Sequence, residues 1–447
     1  MSNRNLWQIR MLACTISMVG AAGAQDAPGI QISSGTPAPK VPQAALTSTP
    51  STAPMQRLTL EEALQLAELY NPRLKVAGAQ REGALAGITT ARAYPNPEFK
   101  FMAGRQSAFL DSNITGPYQD YTVNQPIELP SVRNSRIEAA QLGSSASVLS
   151  LDEARLAVRA GVKQAFYGVL RRRDELGLTQ ENLRLIEELR RRIQVQVQVG
   201  EAARLELIRA ESEVATARVL VNSARLRTVA AVAALEATLG VPLAGNFEAQ
   251  GTLEQPPVLP PVETLETQML GKHPAIAQAQ MLVRRSEVLL QNEKAQRIPR
   301  PAIEGEIERM PDSYVSRIGV VVPLPFWNRR EGNIAQAVAA VREAQAVASQ
   351  RRVDLTASLE VAYEQYQVTG QQIASFQQGV LVEAEAAVRA AEAAYRFGER
   401  GILDVLDAQR VLRSVRTDFL NAQYDRQAAL IELERLRAVD PTGGSRP

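Results

Sequence analysis

Apolar and polar residues change their period twice within each half of this chain. From Leu60 the run "LEEALQLAELY" puts Leu60, Ala63, Leu64 and Ala67 on one stripe, the spacing of an amphipathic helix. Thr59 precedes it as an N-cap, with Glu62 three residues on as its capping-box partner. A further helix is predicted over roughly 73–93. It stops at Pro95-Asn96-Pro97, because proline cannot continue a helix and restricts the residue before it. The period then falls to two. Phe99, Phe101 and Ala103 alternate with Glu98 and Lys100, and Tyr121 and Val123 alternate with Thr122 and Asn124. Such alternation predicts a β-hairpin over about 97–129, with its loop around 105–118. The helical period returns from Arg133 to Val199, which contains no proline. At 1.5 Å per residue that stretch makes on the order of 100 Å of helix. Val162, Val169, Leu176 and Leu183 recur every seven residues, a coiled-coil-like seam. A return helix runs from Leu205 to Gly240.

The whole order is then written a second time. Asn71-Pro72 matches His273-Pro274, Pro95 matches Pro299, and Pro126 matches Pro323. Ile137 matches Ile334, Ala165-Phe166 matches Ala362-Tyr363, and Gly200-Glu201 matches Gly398-Glu399. A helix over 275–297 is followed by a hairpin over about 301–323, in which Ile303, Gly305 and Ile307 oppose Glu304, Glu306 and Glu308. Its loop falls around 308–313. Arg329 to Phe397 is again proline-free, and Leu403 to Val439 returns. We read a first repeat over 58–240, a linker over 241–260, a second repeat over 261–438 and a tail over 439–447. Two rod-like helical hairpins, each joined to a β-hairpin, cannot close on themselves as one globule. They need partners.

Composition narrows the function. Aromatic residues are 5% of the 447, and the formal net charge is +2. A near-balanced chain offers no electrostatic footprint for nucleic acid. Arg4 and Arg10 flank the apolar run "MLACTISMVGAA", and Ala22-Gly23-Ala24 follows as a cleavage site. Residues 1–24 therefore read as an export signal. Residues 25–57, rich in Pro, Ser and Thr, read as an extended lead-in. Cys14 is the only cysteine and lies within the signal, so neither disulfides nor thiolate metal sites are expected, and lipidation at Cys14 does not suit a signal with Arg10 so close to it. His273, the only histidine, sits where the first repeat has Asn71, and a helix-start role suits it better than catalysis. No phosphate loop, nucleophile elbow or HExxH is present. No enzyme activity, cofactor or metal site is expected.

Read together, "LTLEEALQLAELYNPRL", "ARAYPNPEF", "VVPLPFWNRREGNIAQA" and "YRFGERGILDVLDAQRVL" resemble the TolC-like outer-membrane efflux proteins of Gram-negative bacteria, from Leu58 to Ala438. The run "PLPFWNRREGNIAQA" is most similar to the heavy-metal branch, the cobalt–zinc–cadmium and copper–silver systems. The resemblance implies an α+β membrane protein: a homotrimer in which four strands per chain build a shared β-barrel in the outer-membrane lipid, above a long periplasmic α-helical barrel. It implies a passive exit duct that docks to a periplasmic adaptor and a proton-driven inner-membrane pump, and it gives no role to nucleic acid. An exit duct for drugs or other organic solutes, and a coiled-coil scaffold without a channel, are the alternatives.

The resemblance also gives meaning to two similar stretches, "GEAARLELIRAE" and "GERGILDVLDAQ". Both fall on the periplasmic turns of the helical barrel. Gly200, Gly398 and Gly401 are expected to adopt backbone angles closed to other residues, and Leu205 and Leu403 match positions facing the adaptor. Asp404 and Asp407 match an acidic ring at the constriction. Glu206 is the first-repeat counterpart of Asp404, and Arg209 replaces the second acid. Arg209 is expected to pair with Asp404 or Asp407 in the closed state.

Overall fold

In the computed structural model the described residues are 56–107, 115–243, 247–253 and 257–438. The export signal with Cys14, most of the lead-in, and the tail fall outside them.

The first repeat opens with strand β1 (Gln56–Leu58), followed by α1 (Leu60–Tyr70) and α2 (Pro72–Arg92). Thr59 caps α1 as a full capping box. Its Oγ1 accepts from the Glu62 N–H at 3.3 Å, and Glu62 Oε2 accepts from the Thr59 N–H at 2.8 Å. The hairpin strands β2 (Glu98–Ser107) and β3 (Thr115–Pro126) come next. Then α3 (Pro130–Gln198) runs 69 residues without a break, and α4 (Arg204–Leu239) returns. Val162 and Val169 of the seven-residue seam are buried on α3, and Leu176 and Leu183 are half-buried.

The second repeat follows the same order. It begins with β4 (Phe247–Ala249), α5 (Val262–Lys272) and α6 (Pro274–Ala295). Strands β5 (Ala302–Arg309) and β6 (Tyr314–Val321) form its hairpin. Its long helix is α7 (Glu331–Ser375), a π-turn (Phe376–Val380) and α8 (Leu381–Arg396), and α9 (Ile402–Leu436) returns.

Three features differ from the sequence reading. The residues read as linker contain β4, which pairs in parallel with β1, Leu58 opposite Ala249. Strand β1 therefore lies partly inside the stretch read as lead-in. Strands of three residues carry no period, and this pairing joins segments about 190 positions apart. Helix α5 is the unpredicted counterpart of α1. The predicted unbroken helix of the second repeat is interrupted by the π-turn, where one extra residue per turn leaves the apolar pattern nearly intact.

The two hairpins merge into one antiparallel sheet of order β2-β3-β5-β6. Its register aligns Phe99 with Val123, Phe101 with Tyr121, Tyr121 with Ile307, and Ile303 with Val320. One face is thus apolar, yet Phe99, Phe101, Ile303 and Ile318 on it are all exposed. The opposite face carries Glu98, Lys100, Thr122, Glu304 and Glu306, with Arg317 bridging Glu306 and Glu308 at 3.2 and 2.5 Å. Among the described residues neither edge strand, β2 or β6, has an outer neighbour. Among the described residues three apolar cores lie elsewhere. One surrounds Phe166 where α1, α3, α4 and α9 meet, one joins α5, α7 and α9, and one lies under the two helical turns.

Candidate channel gate at the helical turns

The turns 199–203 and 397–401 join α3 to α4 and α8 to α9. Each long helix ends in the same way. The Gly200 N–H donates to Val197 O at 3.2 Å and the Glu201 N–H to Gln196 O at 2.8 Å. The Gly398 N–H donates to Tyr395 O at 3.1 Å and the Glu399 N–H to Ala394 O at 2.9 Å. These paired bonds make a Schellman motif, which needs a left-handed residue after the cap. Gly200 (φ 84°) and Gly398 (φ 74°) supply it. Gly401 does not: at φ −81°, ψ 165° it is an extended N-cap open to any residue, which corrects the expectation that all three glycines are conformationally required.

Beneath the turns the two repeats lock together. Ile402, Val405 and Leu406 of α9 are buried against Ile186 and Ile193 of α3 and Ala210 and Val214 of α4. This packing decides the orientation of every polar group on the first turns of α4 and α9. Leu403 and Leu205 point away from it and are exposed, as are Phe397 and Val199.

The acidic residues share this exposed end. The side chains of Asp404 and Asp407 are 48% and 64% exposed. Arg400 lies 4.0 Å from Asp404, and Arg410 lies 2.9 Å from Asp407. Arg410 also reaches across to the nearly buried Glu213 on α4 at 2.6 Å. Arg209 forms no ion pair with Asp404 or Asp407 among the described residues; within one chain Arg410 takes the place expected for it. Sequence reasoning missed Arg410 because it lies three residues past Asp407, where an i, i+3 pair is ordinary, and its second partner is 197 residues away. Glu206 faces Tyr395, whose hydroxyl lies 3.2 Å from Glu206 Oε2 and 2.9 Å from Gln196 Oε1. Burial, reinforced by the Glu206 charge, pushes the Tyr395 phenol up to about 12, so it stays a donor at any physiological pH. Tyr395 thus ties the end of α8 to both helices of the first repeat.

Among the described residues no cluster of His, Cys, Asp and Glu could hold a metal ion, and no helix is long and apolar enough to cross a membrane. The sheet instead provides an exposed apolar face. Residues 63–241 and 265–438 match the sequence profile of the outer membrane efflux protein family, one segment in each repeat. The chain belongs to that family. It is 29% identical over 383 residues to the cobalt-zinc-cadmium resistance protein CzcC of Cupriavidus metallidurans, covering 85% of this chain and 90% of that one. It is 25% identical to the nickel-cobalt-cadmium resistance protein NccC of Alcaligenes xylosoxydans xylosoxydans, over 71% of each. Its fold is similar to that of CusC (TM-score 0.73, 18% identity, 85% of this chain and 91% of that one). It is equally similar to the Campylobacter jejuni CmeC outer-membrane channel (TM-score 0.75, 18% identity, 85% of each).

The protein is therefore an outer-membrane efflux channel with the TolC-like fold, and its helices extend into the periplasm. Members of the family form trimers and work with an adaptor and an inner-membrane pump. In that setting the free edges of β2 and β6 find partners by closing a barrel, which removes exposed edges. The apolar sheet face meets lipid, and the charged face lines the water-filled interior.

Proposed function

We propose that this chain, as a homotrimer, is the exit duct of a tripartite system for heavy-metal cations, closed at its periplasmic end by Asp404, Asp407, Glu206 and Arg209. The carrying observation is the placement of Asp404 and Asp407. They stand one turn apart on the exposed start of α9, anchored by the buried Ile402, Val405 and Leu406. Threefold symmetry turns the pair into six carboxylates around one opening, an arrangement that favours cations. The resistances named for CzcC and NccC support a metal cargo. The only histidine caps a helix and the only cysteine is Cys14, so the duct offers no imidazole or thiolate set to select a soft metal. Selection belongs to the pump, of the proton-driven type.

Leu205 and Leu403, held out by the turns at Gly200, Gly398 and Gly401, form the surface for the adaptor. Its docking moves α8 and α9 against α3 and α4, breaking the Tyr395–Glu206 contact and opening the acidic ring. Arg209 has no carboxylate partner among the described residues of its own chain and pairs with an acid of the neighbouring protomer when the ring is closed.

The test is reversal-potential and conductance recording in planar bilayers for the parent and for D404N/D407N. The parent should give small, cation-preferring currents, and the variant should lose that preference and conduct more. Cation preference unchanged in the variant would discard the ring. In cells lacking the native duct, the parent should restore resistance to cobalt, zinc or cadmium; restoring resistance to organic drugs alone would assign it to organic solutes.

A further inference from the structure

The two helix–strand junctions of the repeats differ in one respect that the duplication makes visible. At the first junction two arginines, Arg133 and Arg136, are used internally. Arg133 donates to Arg92 O at 2.9 Å and lies over the Tyr94 ring at 4.4 Å. Arg136 donates to Ala91 O and Ala93 O at 2.9 and 3.1 Å and pairs with Glu128. At the second junction the arginines surround a cleft of about 510 Å³ between the end of α6 and the segment 323–330, lined by Arg297, Arg300, Arg329 and Arg330 with Ile298 and Leu324. Arg330 pairs with Glu293 at 2.6 Å. Arg297, Arg300 and Arg329 make no ion pair with a described residue, and Arg300 has only the neutral Gln296 amide at 2.9 Å. All three are exposed.

The segment beside the cleft has a defined shape. The Arg330 N–H donates to Asn328 Oδ1 at 2.9 Å, Arg330 takes a left-handed φ of 61°, and the Phe326 N–H donates to Leu324 O at 3.0 Å. The turn holds Trp327 95% exposed, with Phe326 packed edge-on against it. Leu324 and Phe326 are exposed as well and continue from Val320 and Val322 at the end of β6. An uncovered tryptophan next to three unpaired arginines, directly below an apolar sheet face, has the chemistry of a membrane interface. Tryptophan concentrates at that level, and arginine grips phosphate through paired N–H donors.

We propose that this cleft binds the phosphate headgroup of an anionic phospholipid in the inner leaflet of the outer membrane, with Trp327 seated among the glycerol and upper acyl groups. The inference rests on the outer-membrane location of the channel and not on its cargo. The leaflet follows from the topology, because the cleft is at the helical, periplasmic end of the strands. A second copy of this chain is the less suitable occupant. Three like charges would need three carboxylates, and the segment leading into β2, the edge free to pair with β6, carries only Glu98 between Tyr94 and Phe99.

The sequence supplies the probe. It contains two tryptophans, and Trp7 lies in the export signal, so after signal removal the tryptophan fluorescence comes from Trp327 alone, and W7F gives the same single reporter where the signal is retained. Trimers of this protein are reconstituted with brominated phosphatidylglycerol or brominated phosphatidylcholine in otherwise matched vesicles. The anionic quencher should act at a lower mole fraction, by about fivefold for each arginine engaged. R297Q/R300Q/R329Q should remove the preference while both lipids still quench. If that variant fails to assemble, R300Q and R329Q singly should each reduce it. Equal quenching of the parent by both lipids would reduce the site to a plain aromatic belt and overturn the proposal. No quenching by either would mean that a neighbouring copy covers the cleft. Loss of the preference on adding excess inorganic phosphate would reassign the arginines to a free anion.

Discussion

Arg410 on the last helix lies 2.6 Å from Glu213, whose side chain is only 8% exposed, on the return helix of the first repeat. The same guanidinium holds Asp407 at 2.9 Å. One side chain therefore couples the packing of the two repeats to the position of an acid in the proposed gate. The Glu213 hydrogen bond, and its charge, hold the Arg410 pKa above its usual value. Removing one partner of such a pair leaves the other charge uncompensated. Arg410 is about half exposed, so solvent screening keeps the loss well below that of a fully buried pair. R410Q should destabilise the folded channel by about 1–2 kcal/mol. R410Q/E213Q should cost less than the sum of the single changes. Thermal melts of all four proteins followed by helical circular dichroism give the coupling. Strict additivity would show that the pair does not link the repeats.

Acid should weaken the fold through His273. Its Nδ1 accepts from the Ala275 N–H at 3.2 Å, so the imidazole must be neutral to cap α6. Burial, with the Arg435 charge adding to it, lowers its pKa from 6.5 to about 4. A depressed folded value means that the unfolded chain takes up the proton first. The contribution is complete above about pH 6.5 and is lost as pH falls towards 4, amounting to at most about 3 kcal/mol. Asn71 makes the equivalent cap in the first repeat with Oδ1 accepting from the Arg73 N–H at 2.8 Å. H273N should keep the cap and flatten the pH dependence of melting between 6.5 and 4. A variant as acid-sensitive as the parent would place the titration elsewhere.

The two glycines of the last turn should behave differently. Gly398 has φ 74°, and an alanine there should cost about 1–2 kcal/mol although a Cβ would meet open space. Gly401 has extended angles and equally open surroundings, so G401A should cost less than G398A, under about 1 kcal/mol, from the poorer N-cap alone. Hydrogen exchange at the Glu399 and Arg400 amides is the local readout: faster in G398A and unchanged in G401A. Equal effects would reject the Schellman description of this turn.

Much of this architecture is local and could be read from the sequence. The change of period from helix to strand and back marks both hairpins, because side-chain direction repeats every 3.6 residues in one case and every two in the other. The proline pairs and Gly-Glu dipeptides mark the breaks, because they act on their own backbone. Thr59 with Glu62 and His273 with Ala275 are contacts within one turn. The similarity of the two halves followed from comparing the chain with itself. What the tertiary structure decided is non-local. The β1–β4 pairing joins segments of three residues too short to carry a pattern. The grip of Arg410 on Glu213 and the reach of Tyr395 to Glu206 cross about 190–200 positions and depend on how α9 seats Ile402, Val405 and Leu406 against α3 and α4. The difference between the two junctions, one stapled by Arg133 and Arg136 and the other left with free arginines around Trp327, is invisible in a sequence where both are simply basic. Charge composition is additive along a chain, whereas the partner a charge finds is fixed only when packing brings the helices together.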